Sequence, residues 1–136
     1  MFVEIRNSVF DLDKATHCLL GKDFFKIYSR QYRNSLTYGV IKIENCNDLY
    51  DKICETFIAN GFVKITEQDR CWLINKRSIN SFEIDNGSYC FTLGEEALQL
   101  FIKSNSDSEL ETECIKNLCF NDRVIIEWKK EVRECL

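Results

Sequence analysis

Residues 78–103, SINSFEIDNGSYCFTLGEEALQLFIK, carry the most decisive turn signal in the chain, and the reading of the rest works outward from them. Asn86-Gly87 is the pair that a two-residue type I′ turn calls for, because both central positions need φ > 0. Counting outward fixes a register. Ile84 faces Tyr89, Phe82 faces Phe91 and Asn80 faces Leu93, while Glu83 faces Cys90 and Ser81 faces Thr92. The first set is mainly apolar and the second mainly polar, so a hairpin over 78–93 lies flat on a core. Thr92 and Glu95 then have capping-box spacing, and Ala97, Leu98, Phe101 and Ile102 recur at helical intervals, which predicts a helix straight after the hairpin.

Upstream, Val3 and Ile5 share one face of a short strand near the start. Asp11 or Asp13 is placed to cap a helix through Ala15, Leu19 and Leu20 that stops at Gly21. Leu12, Ala15 and Leu19 diverge by more than about 100° from Phe24, Tyr28 and Tyr32 on one straight helix, so a second helix is predicted over 23–33. A Val/Ile-rich strand follows over 38–44, then a helix over 48–60 capped by Asn47. That helix is ended by Asn60-Gly61, with Phe62 closing over its last turn. Two strands, 62–66 and 71–75, flank a polar turn at 67–70. Downstream, Ser106 and Glu109 have capping-box spacing before a helix whose Leu110, Cys114, Ile115 and Leu118 form a buried stripe. Residues 123–129 read as a closing strand with Val124, Ile126 and Trp128 together, and the tail beyond is frayed or partly helical. The sum is a single α+β domain over 1–136: a mainly antiparallel sheet around the 78–93 hairpin, packed against three to five helices. No internal repeat stands out.

A chain of 136 residues buries about two-thirds of the surface that its unfolded form exposes, enough for one core. Its formal net charge of -4 speaks against a nucleic-acid partner. Glu4 and Arg6 interrupt what a signal peptide needs, and no apolar run has the length of a membrane span, so a cytoplasmic protein with no membrane partner is expected. In that compartment the eight cysteines stay reduced, with Cys54, Cys90 and Cys114 as small apolar fillers. The absence of proline and the scarcity of alanine and glycine suit AT-rich coding DNA of the bacterial mobile or phage kind.

No catalytic constellation stands out. No cysteine pair has zinc-ligand spacing, and the single His17 has no second ligand near it in sequence. Gly61, Gly87 and Gly94 fall at a helix stop, a turn and a junction, and form no phosphate loop. Neither a metal nor another cofactor is therefore expected. One short match stands apart: Glu127-Trp128-Lys129 at a strand end resembles the metal-binding half of restriction-type nuclease cores. The resemblance implies a Mg²⁺-dependent enzyme using Glu127 and Lys129, with Asp85 or Asp122 as the further acid.

Without catalytic residues, the expected role is recognition of another protein: an immunity or antitoxin-type inhibitor covering the active site of a toxin or defence enzyme. Its contact surface would be the acidic set Glu95, Glu96, Asp107, Glu109, Glu111 and Glu113, opposed to a basic cleft. Glu111 is singled out because it falls between Leu110 and Leu118. The alternative surface is the basic stripe Lys22, Lys26, Arg30 and Arg33, backed by aromatics and suited to an anionic partner.

Overall fold

A computed structural model describes residues 1–29, 39–44, 47–85, 87–95, 97–103 and 109–127. Among them run β1 (Phe2–Ile5), β2 (Ser8–Asp11), β3 (Ala15–Leu20), β4 (Phe24–Ser29), β5 (Gly39–Glu44) and α1 (Tyr50–Ala59). There follow β6 (Phe62–Glu67), β7 (Arg70–Asn75), β8 (Ile79–Asp85), β9 (Ser88–Leu93), β10 (Leu98–Lys103) and α2 (Glu109–Cys119). Three antiparallel sheets result: β1-β2, the five-stranded β5-β4-β3-β7-β6, and β10-β9-β8. This corrects the α+β expectation. The described chain is mostly antiparallel sheet with two short helices, not a sheet packed against three to five.

The reason lies in the five-stranded sheet, which is covered on both faces. One face meets Ile5 and Phe10 of the first hairpin and Ile53, Cys54 and Phe57 of α1. The other meets Tyr89, Phe91, Leu93, Leu100 and Ile102 of the third sheet, together with Ile115 of α2. A strand buried on both sides carries apolar residues in succession instead of alternating. All six residues of β3, ATHCLL, are buried, and those of β4 are buried or half-buried, so the helices predicted over these stretches are strands. Helical spacing fits β3 because burial on both faces leaves no alternation to contradict it.

The central hairpin keeps the expected register from Ile84↔Tyr89 to Ser81↔Thr92. A bulge at Asn80 then shifts the ladder, so that Leu93 pairs with Ile79 and not with Asn80. Gly87 has φ 78°, while Asn86 lies outside the described residues. The helix expected after the hairpin is β10. Gly94 (φ 71°) and Ala97 (φ 54°) close a turn through Ala97 N–H to Gly94 C=O at 3.2 Å, and Leu98, Leu100 and Ile102 alternate inward.

α1 follows a 3₁₀ turn, Asn47–Leu49; Leu49 is its N-cap and no side chain caps it, so Asn47 does not play the expected part. Its far end behaves as expected. Gly61 takes φ 89°, and the Phe57 and Phe62 rings meet edge-on at 5.0 Å. On α2 the predicted stripe is largely outside: Ile115 is buried, but Leu110 is 78% exposed, Leu118 54% exposed, and Cys114 exposed. The helix packs instead through the side holding Ile115 and the half-buried Glu111 and Cys119. Residues 123–127 form no strand. Arg123 turns back and donates from Nη1 to the carbonyls of Lys116 and Phe120 at 3.2 and 3.1 Å, and Val124 and Ile126 stay exposed. β-branched residues favour a strand only where a partner strand is at hand. Ser106, Trp128 and the tail beyond lie outside the described residues.

Two corners carry the chain from sheet to sheet, and they are built alike. After β2, Asp11 accepts from Asp13 N–H at 3.0 Å, a 3₁₀ turn spans Leu12–Lys14, and β3 opens with a register shift between Ala15 and His17. After β7, Asn75 accepts from Arg77 N–H at 3.1 Å, a 3₁₀ turn spans Lys76–Ser78, and β8 opens with a shift between Ile79 and Ser81. The corners are joined: Asn75, 1% exposed, donates from Nδ2 to Ala15 C=O at 3.0 Å, and Arg77 reaches Asp13 at 3.1 Å. At the opposite end of the central sheet, the buried Glu67 receives Arg70, the Trp72 indole at 3.3 Å and the Lys103 amide at 2.6 Å. That carboxylate ties the β6–β7 turn to β10. Burial alone would raise its pKa, but the Lys103 amide, Arg70 and Trp72 together hold it below the usual carboxylate value.

Asn75→Ala removes a cap worth about 1 kcal/mol and orphans a buried carbonyl at a cost of roughly 1–3 kcal/mol, giving an expected loss of about 2–4 kcal/mol in urea unfolding. Asn75→Asp keeps the cap acceptor but sets a buried carboxylate oxygen against the Ala15 carbonyl, so it should lose at least as much. A loss for the alanine variant below about 0.5 kcal/mol, the range of an ordinary surface change, would show that the corner is not tied through this residue.

Candidate interaction surface on β4 and β5

The charge of the chain is unevenly spread. Residues 22–44 hold five Lys or Arg and two Asp or Glu, a positive stretch inside a chain of net charge -4. Lys26 is on β4 and Lys42 on β5, at one edge of the five-stranded sheet, and Lys22 stands in the turn before β4. Phe25 and Ile27 point into the first core at 0% and 1% exposure, which turns Phe24, Lys26 and Tyr28 onto the opposite face, each half-buried. The Lys26 ammonium lies 5.4 Å from the centre of the Phe24 ring. In the β4–β5 register Lys26 stands directly opposite Lys42.

His17 on β3 extends this aromatic row. Its ring stacks on Tyr28 at 4.4 Å with an interplanar angle of 4°, and Trp72 lies 6.0 Å beyond. The register shift next to Thr16 lets neighbouring side chains meet, and Thr16 Oγ1 sits 2.9 Å from His17 Nδ1. Burial pushes the imidazole pKa down to about 4. The ring is therefore a neutral core element at ordinary pH. Periodicity did not single it out because a bulge breaks the alternation.

Of the basic stripe, the structure keeps Lys22, exposed in the β3–β4 turn, and Lys26 on the β4 face; Arg30 and Arg33 lie outside the described residues. Its described members, Lys22 and Lys26, sit on a turn and a strand, not on a helix. The described members of the acidic set stand on two elements, the β9–β10 turn and α2. Glu95 is exposed on the β9–β10 turn, and the six residues of β10, rising about 3.3 Å each, lead away from it before α2 begins. Glu109 is exposed, Glu111 half-buried, and Glu113 pairs with Lys116 at 3.8 Å and Arg123 at 3.5 Å. Glu96 and Asp107 lie outside the described residues.

For the nuclease resemblance, Glu127 and Asp122 are exposed in irregular chain, Asp85 ends β8, and Lys129 lies outside the described residues. Among the described residues no group of three or more His, Cys, Asp or Glu is placed to hold a metal ion. Cys18, Cys54, Cys71 and Cys90 are buried free thiols, whereas Cys114, expected inside, is exposed. Burial raises the Cys54 thiol to about 11, which removes it as a nucleophile near neutral pH. No helix among the described residues is long and apolar enough to cross a membrane.

No family model matches the chain, and no curated protein matches it. In fold it is similar to a solved structure described as the LytTr DNA-binding domain of a methyl-accepting/DNA response regulator from Bacillus cereus. The likeness has a TM-score of 0.52 at 6% sequence identity and covers 88% of this chain and 95% of that one.

The stacked imidazole generates a pH signature. Its folded pKa of about 4 lies below the free value of 6.5, so protons favour the unfolded chain. Its contribution is complete above the free value and is lost as pH falls from there through the folded value, a span worth roughly 3 kcal/mol. His17→Phe keeps a ring on Tyr28 without the titration. Urea midpoints measured across that window should show a clearly smaller pH slope than wild type, and an unchanged slope would assign the titration to another group.

Proposed function

We propose that this chain is a nucleic-acid-binding module that engages phosphates through Lys22 and through Lys26 on the β4 face, with Lys42 at the register position opposite Lys26. The observation that carries the reading is the likeness in fold, over nearly the whole of both chains, to a domain described as DNA-binding. The charge distribution supports it. A net charge of -4 argues against such a partner only if charge is evenly spread, and residues 22–44 are positive. Lysines supply sequence-independent phosphate contacts, and half-buried aromatics beside them offer faces for apolar or stacking contact with a sugar or base.

The test is fluorescence anisotropy with short labelled duplexes across about 50–200 mM salt, where each phosphate contact steepens the decline of affinity. Lys22→Glu with Lys26→Glu should weaken binding to all sequences alike and reduce the log–log salt slope by about one per lost contact. Absence of binding at the lowest salt, or a slope that the double variant leaves unchanged, would sink the reading.

The inhibitor reading is the second proposal, favoured by the exposed Glu109 in the first turn of α2, where the helix dipole already suits negative charge. Capture of a protein partner that Glu109→Lys with Glu113→Lys abolishes, in a chain that binds no duplex, is the outcome that selects it.

A further inference from the structure

Three described rings follow one another across β7, β3 and β4: Trp72, His17 and Tyr28, with successive centroids 6.0 and 4.4 Å apart. Trp72 and His17 are buried, at 8% and 3% exposure, whereas Tyr28 is half-buried. The series starts in the core and reaches the surface at Tyr28. The Tyr28 ring lies parallel to the imidazole within 4°. A buried partner on one side fixes the plane of the ring, so little freedom is left to lose when another planar group settles against it.

The charged groups around this ring divide by position. Lys26 is two residues before Tyr28 on the same face of β4, about 7 Å along the strand. In the β4–β5 register Lys26 stands opposite Lys42, and Tyr28 stands opposite Val40. The acids lie at the other end, where Glu44 is opposite Phe24 and Asp23 precedes it in the turn. Phe24 is also committed to packing, since a Cβ on Gly21 would run into its ring. Tyr28 is thus the ring of this face with lysine and no acid at the neighbouring register positions.

Duplex and single strand differ in what they offer such a ring. In a duplex each base has neighbours about 3.4 Å away on both sides, and unstacking a step costs at least what one ring contact returns. An unpaired base brings a free face, and the phosphate beside it comes within reach of a lysine next to the ring. We propose that Tyr28 is a base-stacking residue for unpaired nucleotides, with Lys26 on the adjoining phosphate, so that the module takes single-stranded nucleic acid in preference to duplex. This rests on the nucleic-acid reading and deepens it: duplexes are held through phosphates, single strands through phosphates and a ring.

The experiment is fluorescence anisotropy of the full chain with labelled oligodeoxyuridylate and oligouridylate of about 12 nucleotides, against a duplex of the same length. Both single strands should bind more tightly than the duplex at the same salt, and any difference between them tells DNA from RNA through the 2′-hydroxyl alone. Tyr28→Leu keeps apolar bulk over His17 without a flat face. It should weaken single strands about 5-fold to 140-fold, the equivalent of about 1–3 kcal/mol at 1.4 kcal/mol per tenfold. The duplex should lose several-fold less, and the salt slope, which phosphates set, should stay that of wild type. Tyr28→Phe restores the ring and should bind single strands within about twofold of wild type. A cooperative urea transition confirms that each variant is folded. Single strands no tighter than the duplex, or a Tyr28→Leu variant that weakens both alike or neither, would overturn the stacking role and leave the phosphate reading standing. Binding of neither form would remove both.

Discussion

Asn75 is a polar side chain sealed inside a mostly apolar body, and the three sheets are assembled around its two hydrogen bonds. Its carbonyl oxygen caps the turn that carries the chain from β7 into the third sheet. Its amide reaches back to Ala15, where the other corner delivers the chain into the central sheet. One residue thus satisfies backbone groups of both corners, and a buried side chain with every polar atom engaged admits few alternative geometries. The likeness of the corners, Asp11-Leu12-Asp13-Lys14 and Asn75-Lys76-Arg77-Ser78, is a repeat of conformation. What recurs is an oxygen two residues before an amide, and the residues around it differ.

Once the corners fix where the chain changes sheet, the rest follows from covering area. β3 and β7 lie in the middle of the five-stranded sheet and lose both faces to the two cores. β4 and β5 lie toward its edge, where the second face of β4 carries the half-buried Phe24, Lys26 and Tyr28. The surface that is both partly apolar and positive therefore arises at the margin of a packing layer, where the cover runs out. The Glu67 clamp sets the opposite end of the molecule in the same manner, by giving one buried carboxylate to a turn, an indole and a strand amide of a different sheet.

The hairpin was legible because its information is local. Asn-Gly turn chemistry and four pairs of opposed residues lie within a short stretch, and the register followed as far as Ser81 and Thr92. The strands β6 and β7 and the stop at Gly61 were legible for the same reason. β10 was misread although Leu98, Leu100 and Ile102 alternate, because Thr92 and Glu95 imitate a helix cap and the positive φ angles of Gly94 and Ala97 leave no mark in composition. β3 was misread for a deeper reason. Burial on two faces erases the alternation by which a strand is known, and nothing within 15–29 says that a second layer will cover it. On α2, Leu110 and Leu118 were assigned to the core by their chemistry, yet Ile115 is the side chain that the neighbouring sheet accepts.

The candidate surface divides along the same line. Lys22 and Lys26 were visible as a positive concentration, but the helix drawn through them joined them to Arg30 and Arg33 and hid the opposition of Lys26 to Lys42. By itself the sequence determined what short range can determine: turn positions, the register of one hairpin, the sign of charge along each stretch, and the amount of apolar surface to be buried. The tertiary structure alone decided which faces are covered, that Asn75 ties two corners 60 residues apart, and that Lys26 and Lys42 share one register position across two strands. Those outcomes depend on contacts between residues distant in the chain, and periodicity within one segment carries no information about them.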